Sequence, residues 1–231
     1  MIPVFIIWLI RRYRQSQKKL KTDPLSLKKE KRQSSRLATV LFLTAITAAI
    51  QGHSQAGSRL YEIMRNGSKV GTLRFSETSS AGMDYLKMES DVRTRFIFTF
   101  TAHANEDAVY CNGILLRSSI YRRLNGNEKA NKQHEADIRQ YIIHKGHDTE
   151  VTKIFPITYN MLSLYSREPE NIHEVYSDNF EQFIAIQKTG EHTYKITLPD
   201  GNYNNYSYRN GILNLIEVHH SLYSANIVLM N

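Results

Sequence analysis

The sequence predicts an all-β protein: a single antiparallel meander that forms a barrel or a strongly curved half-barrel, with one short helix near residues 157–166. Three observations carry this. Five Asn-Gly or Asp-Gly pairs punctuate the chain after residue 57, and these residues tolerate the positive φ of tight hairpin turns. The stretch Tyr85–Phe100 alternates with a period of two, the mark of a strand with one wet face. Runs rich in β-formers recur at short, regular spacing, which favours closure or strong curvature over a flat sheet.

The elements follow in chain order. Leu60–Arg65 and Val70–Phe75 flank Asn66-Gly67, and Gly71, Leu73 and Phe75 share one side of the second run. In Tyr85–Phe100, Leu86, Met88, Val92 and Phe96 take one parity, whereas Lys87, Glu89, Asp91, Arg93 and Arg95 take the other. Further strands are expected at Ala108–Cys111, Ile114–Arg123, Asp137–His144, Thr149–Phe155, His173–Tyr176 and Phe180–Gln187. The last group is His192–Leu198, Tyr203–Arg209, Ile212–His219 and Ser224–Met230. Between Pro156 and Pro169, residues Ile157, Met161, Leu164 and Tyr165 fit spacings of three and four, so one short helix is expected there, plugging an end of the barrel.

The formal charge of +8 would suit a nucleic-acid binder, but its distribution removes that reading. Residues 1–56 hold 11 Lys and Arg against 2 acids, so residues 57–231 carry 19 basic and 20 acidic side chains. Nucleic acid is therefore not an expected partner. The uncharged run Leu37–Ile50 follows Lys28, Lys29, Lys31, Arg32 and Arg36, and small residues place a signal cleavage after Ala56. The run is shorter than the roughly 20 apolar residues of a spanning helix. Residues 1–36 are read as a basic N-terminal extension, 37–56 as the signal's apolar and cleavage region, and 57–231 as the all-β domain. For residues 1–27 two readings stay open: a membrane-touching extension, or a start set upstream of the true one. Membrane contact is expected only through this leader, and the domain is expected to be exported: periplasmic, outer-membrane-associated or secreted. The oligomeric state is left open.

Candidate sites compete with structural readings. Tyr203, Tyr206 and Tyr208 crowd one stretch with three asparagines, a composition suited to gripping a glycan. Phe96, Phe98 and Phe100 form an uncharged aromatic run that would line an apolar cavity. Glu217 and His219 share one face of a strand, as a carboxylate and the imidazole it orients would. His144 and His147 have a metal-like spacing, but zinc requires three or four ligands and the intervening glycine marks a hairpin tip. The single cysteine, Cys111, reads as a structural thiol. Phosphate-binding glycine loops and Cys-x-x-Cys pairs are absent, and no cofactor is expected.

Three segments in fixed order carry a family resemblance: Tyr61-Glu-Ile-Met-Arg-Asn-Gly-Ser-Lys-Val-Gly71, Leu164-Tyr-Ser-Arg-Glu-Pro169 and Tyr206-Ser-Tyr-Arg-Asn-Gly211. Together they resemble an uncharacterised family of exported β-rich proteins of Bacteroidota. More loosely, they resemble periplasmic β-proteins that open with a Gly-x-x-x-Gly hairpin, here Gly67 and Gly71. The resemblance covers most of residues 58–230. It implies a curved antiparallel sheet and an envelope location, and it supplies no activity.

The leading expectation is a non-enzymatic envelope protein that binds an apolar or amphipathic molecule in a curved sheet. A carbohydrate-binding or surface-assembly module is the alternative. A hydrolase using Glu217 and His219 comes third.

Overall fold

Hairpin chemistry sets the architecture. Asn66-Gly67, Asn112-Gly113, Asn125-Gly126 and Asn210-Gly211 all have positive φ at both residues, which gives each connection the twist of the strands it joins. Ala81-Gly82 does the same without the asparagine signature. The computed structural model describes residues 55–95, 99–221 and 223–230. Residues 1–54 and the Phe96 and Phe98 positions lie outside these residues.

The strands are β1 (Gln55–Arg65), β2 (Ser68–Ser80), β3 (Met83–Arg95), β4 (Thr99–Cys111), β5 (Ile114–Leu124), β6 (Asn127–Asp137), β7 (Gln140–Lys145) and β8 (Asp148–Thr152). After the helical turn α1 (Ser163–Ser166) come β9 (Glu174–Ser177), β10 (Gln182–Gly190), β11 (Thr193–Thr197), β12 (Tyr203–Arg209), β13 (Ile212–His220) and β14 (Tyr223–Leu229). They form one antiparallel sheet of 14 strands, ordered β8 to β1 and then β14 back to β9. The first and last strands thus meet in mid-sheet, Tyr61 opposite Leu229, and β8 and β9 are the two edges of an unclosed sheet.

The expected alternation holds. Leu73 and Phe75 of β2, and Leu86 and Met88 of β3, are buried on the inner face, while Arg74, Lys87 and Asp91 are exposed on the outer one. The expected strand Tyr85–Phe100 is divided: β3 stops at Arg95, which pairs with Thr99 at the start of β4. The expected strand Ala108–Cys111 is therefore the last third of a longer one.

Two further differences have physical causes. β6 was not expected, because Asn-Glu-Lys-Ala-Asn-Lys-Gln-His-Glu-Ala-Asp has no apolar alternation. Its ladders with β5 and β7 place His134 opposite Ser118 and Ile143, so neighbouring strands impose the extended state that composition does not favour. The helix is one turn instead of ten residues. Ile157 O accepts from Leu115 N at 2.8 Å and Tyr159 O accepts from Tyr176 N at 2.9 Å. Backbone groups committed to the sheet cannot close helical bonds until the chain leaves it after Leu162.

The crossover from β8 to β9 shows how strongly the sheet curves. Tyr110 of β4 bonds Asn160, Ser166 donates to Glu77 of β2 at 2.9 Å, and Tyr208 of β12 donates to Leu164 O at 2.9 Å. Arg59 of β1 donates to Tyr165 O. Both halves of the sheet therefore wrap one segment, and Ile157, Tyr159, Leu162 and Leu164 fill the hollow as core.

Candidate functional site

The hollow has two regions of different chemistry. Its packed region is closed by a buried polar network. Tyr110 Oη lies 2.9 Å from Asn160 Oδ1 and 2.8 Å from Ser163 Oγ, and Asn160 N donates back to it at 3.1 Å. Asn160 Nδ2 donates to Asp178 Oδ2 at 3.0 Å, and Ser118 Oγ donates to Asp178 Oδ1. His134 is 1% exposed, with Nδ1 at 3.9 Å from Asp178 Oδ1. Burial raises the Asp178 carboxyl to about 6 and lowers His134 to about 4. Serine, aspartate and histidine thus meet here, but the serine bonds the carboxylate and not the imidazole. The order required to activate a nucleophile is missing, and the set reads as a structural lock.

The other region is partly open. Glu106 of β4 and Arg122 of β5 stand on the inner face, on the same parity as Ala108 and Tyr110, and as Ser118 and Ile120. Arg122 donates through Nε to Glu106 Oε1 at 2.9 Å and through Nη2 to the same oxygen. The Glu106 charge holds the guanidinium in its charged form. Yet 41% of the Arg122 side chain meets solvent, against 12% for Glu106. An inward-facing arginine with that exposure marks a wet hollow, not a filled core.

The pair acts electrostatically on two tyrosines of other elements. Tyr165 of α1 stacks on Phe75 with ring centroids 5.7 Å apart. Burial raises its phenol well above the ordinary range, and the charges of Glu106 and Arg122 both act on it. Burial also raises Tyr223 of β14, while Arg122 and Arg65 pull it down. Its ring stacks on His220 at 4.8 Å, and the residue is 41% exposed. Side chains from β4, β5, β14 and α1 therefore converge on one electrostatic neighbourhood. Val92, Ala102, Ala104 and Leu124 continue the same inner face toward the strand ends and are only partly buried.

The residues expected from sequence are placed as follows. Tyr206 and Tyr208 are buried inner-face residues, with Tyr206 Oη accepting from Asn204 at 3.2 Å. Tyr203 takes the outer face, stacked on His219 at 4.4 Å and with the Lys195 ammonium over its ring at 4.1 Å. The three tyrosines do not form one surface. Phe100 is partly buried on the inner side. Glu217 and His219 do share the outer face. Glu217 accepts from Asn205 at 3.3 Å, and no hydroxyl or thiol among the described residues bonds His219. His144 lies 3.2 Å from Thr149 Oγ1, and His147 sits exposed in the turn.

Among the described residues, the grouping with metal-ligand spacing is instead Glu168, Glu170 and His192. Glu168 already meets the Tyr194 hydroxyl at 2.7 Å and His192 at 2.9 Å, which explains it as a clamp on the crossover. Ala56 lies inside β1, opposite Thr78. A depression of about 520 Å³ opens on the outer face among Lys69, Arg93, His103 and Arg123, with Asp91 paired to His103 at 2.9 Å. None of the described helices is long and apolar enough to cross a membrane.

Sequence reasoning missed Glu106, Arg122, Tyr165 and Tyr223. The signal for the first two was present: each puts a charge on the apolar parity of its strand.

Comparison with known proteins adds the following. A family model described as Domain of unknown function (DUF6134) matches residues 61–230. A search of curated proteins found no match. Three solved chains match in fold, among them a beta-barrel-like protein of Domain of Unknown Function DUF1849 from Brucella abortus. The two superpose with a TM-score of 0.55 at 9% identity, over 75% of this chain and 95% of that one. At that identity the likeness extends to the fold alone.

Proposed function

The chain belongs to the family described as Domain of unknown function (DUF6134), and from that starting point we propose that it is an exported carrier of an amphipathic molecule. The molecule sits in the open region of the hollow, its tail along Val92, Ala102 and Leu124 and its polar end at Glu106 and Arg122. The observation that carries this reading is the 41% exposure of an arginine pointing into the curved sheet. A filled core would have no use for a charge there, since burying one without full pairing is costly. Pockets of this composition, mostly apolar with a few convergent polar groups, are the usual form of small-molecule sites.

Export is supported by the positive stretch and uncharged run before Ala56, and by a core large enough to stabilise a chain with a single cysteine. A Bacteroidota source stands on the segment order given above. The carbohydrate reading draws less support, because Tyr203 already stacks on His219 and holds the Lys195 ammonium while Tyr206 and Tyr208 lie inside.

Full-length protein expressed in a didermal bacterium tests both parts. Native mass spectrometry of the purified protein should show adducts in the mass range of lipids, and N-terminal sequencing should begin near Gly57 in the envelope fraction. Recovery of the chain from the cytosol with Met1 intact, or of protein that neither carries nor takes up any amphiphile, would refute the reading.

A further inference from the structure

The Glu106–Arg122 pair specifies the kind of head group. Both donors of Arg122 that engage Glu106, Nε and Nη2, go to the single oxygen Oε1. Among the described residues this leaves Arg122 Nη1 and Glu106 Oε2 without a hydrogen bond. Both residues stand on the inner face, where 41% of the Arg122 side chain and 12% of the Glu106 side chain meet solvent. Resting on the carrier reading above, we propose that the ligand carries a zwitterionic head group, its anionic part on Arg122 and its cationic part on Glu106.

The electrostatics select among head groups. A purely anionic head would gain Arg122 and lie against the Glu106 carboxylate, a like-charge contact that offsets the gain. A purely cationic head meets the mirror problem at Arg122. Separating the internal pair would leave the Glu106 carboxylate, only 12% exposed, without its counterion, which is costly. A zwitterion adds one attraction at each end and leaves the internal pair intact.

The surrounding groups fit this division. The Tyr165 and Tyr223 phenols are held protonated by burial, so they add neutral hydroxyls and no further charge. Arg122, Arg65 and Asp200 all act on Tyr223. The anionic part of the head therefore lies toward Arg122.

The test uses the full chain and three amphiphiles with one twelve-carbon tail, each below its micelle concentration: dodecylphosphocholine, dodecanoate and dodecyltrimethylammonium. Displacement of a fluorescent apolar probe should rank the phosphocholine at least tenfold tighter than the other two. Glu106→Gln should move the preference to dodecanoate, and Arg122→Gln should move it to the ammonium. A wild-type preference for either singly charged head, or equal binding of all three, overturns the zwitterion assignment while the carrier reading stands. Binding of none of the three overturns both. The wild-type ranking decides the matter even where a variant fails to fold, which circular dichroism would reveal.

Discussion

At the scale of single residues, Asp178 and His134 make opposing contributions to stability within one pH window. Burial raises Asp178 from 3.8 to about 6, so folding favours its protonated form. That stabilisation is complete below pH 3.8 and is lost as pH rises through 6. Burial lowers His134 from 6.5 to about 4, so folding favours its neutral form. That stabilisation is present above pH 6.5 and is lost as pH falls through 4. Each shift corresponds to roughly 3 kcal/mol. In the wild type the two nearly cancel between pH 4 and 6.5. Asp178→Asn should therefore become markedly less stable on acidification through this window, and His134→Gln more stable. Urea melts at pH 4.5 and pH 6.5 check the two signs, and equal pH profiles for both variants would contradict the account.

Gly71 shows a different residue-scale constraint. A Cβ built there would lie 2.3 Å from Asp91 O, a backbone atom of the neighbouring strand. Gly71→Ala should lower stability by about 2 kcal/mol, the range for overpacking against atoms that cannot rotate away. Unchanged thermal melting would show that β2 and β3 can separate locally.

At the scale of elements, the crossover stands out. Its backbone is held by the sheet instead of by helical bonds, and the Tyr110 hydroxyl alone meets Asn160 N, Asn160 Oδ1 and Ser163 Oγ. Tyr110→Phe removes one oxygen from three buried hydrogen bonds and leaves the Asn160 and Ser163 groups it met with only each other. The expected loss is about 2 kcal/mol, more than a single exposed hydrogen bond is worth. Denaturant midpoints measured for Tyr110→Phe and for the exposed control Tyr85→Phe separate this from a general effect of losing a hydroxyl.

At the scale of the molecule, side chains of β6 and β7 tie one end of the sheet to the β9–β10 connection at the other, where a barrel would have a ladder. Glu181, beside β10, accepts from Lys132 at 2.5 Å and lies 2.7 Å from Lys145 of β7. Lys132 also donates to Asn179 O at 2.6 Å. Such ties are short and partly buried, so they contribute more than surface pairs do. Glu181→Gln should raise amide exchange in β7, β9 and β10 and leave β1 to β4 unchanged, because the central ladders do not depend on the seam. Uniform acceleration across the sheet would instead mean that the seam sustains the whole fold.

The amino-acid sequence by itself determined the local rules. Asn66-Gly67 and its counterparts dictated hairpins because their φ preferences act within two residues. Alternation in β2 and β3 dictated which side chains turn inward, because successive residues of a strand face opposite ways. What only the tertiary structure decided are the facts that depend on residues far apart in the chain. Sheet order brought β1 against β14, curvature turned Tyr206 and Tyr208 into core, and β6 became a strand through its neighbours' ladders. The same curvature set Arg122 and Glu106 before Tyr165 and Tyr223. Those distances arise from the sum of twist over many strands, a quantity that no local stretch of sequence encodes.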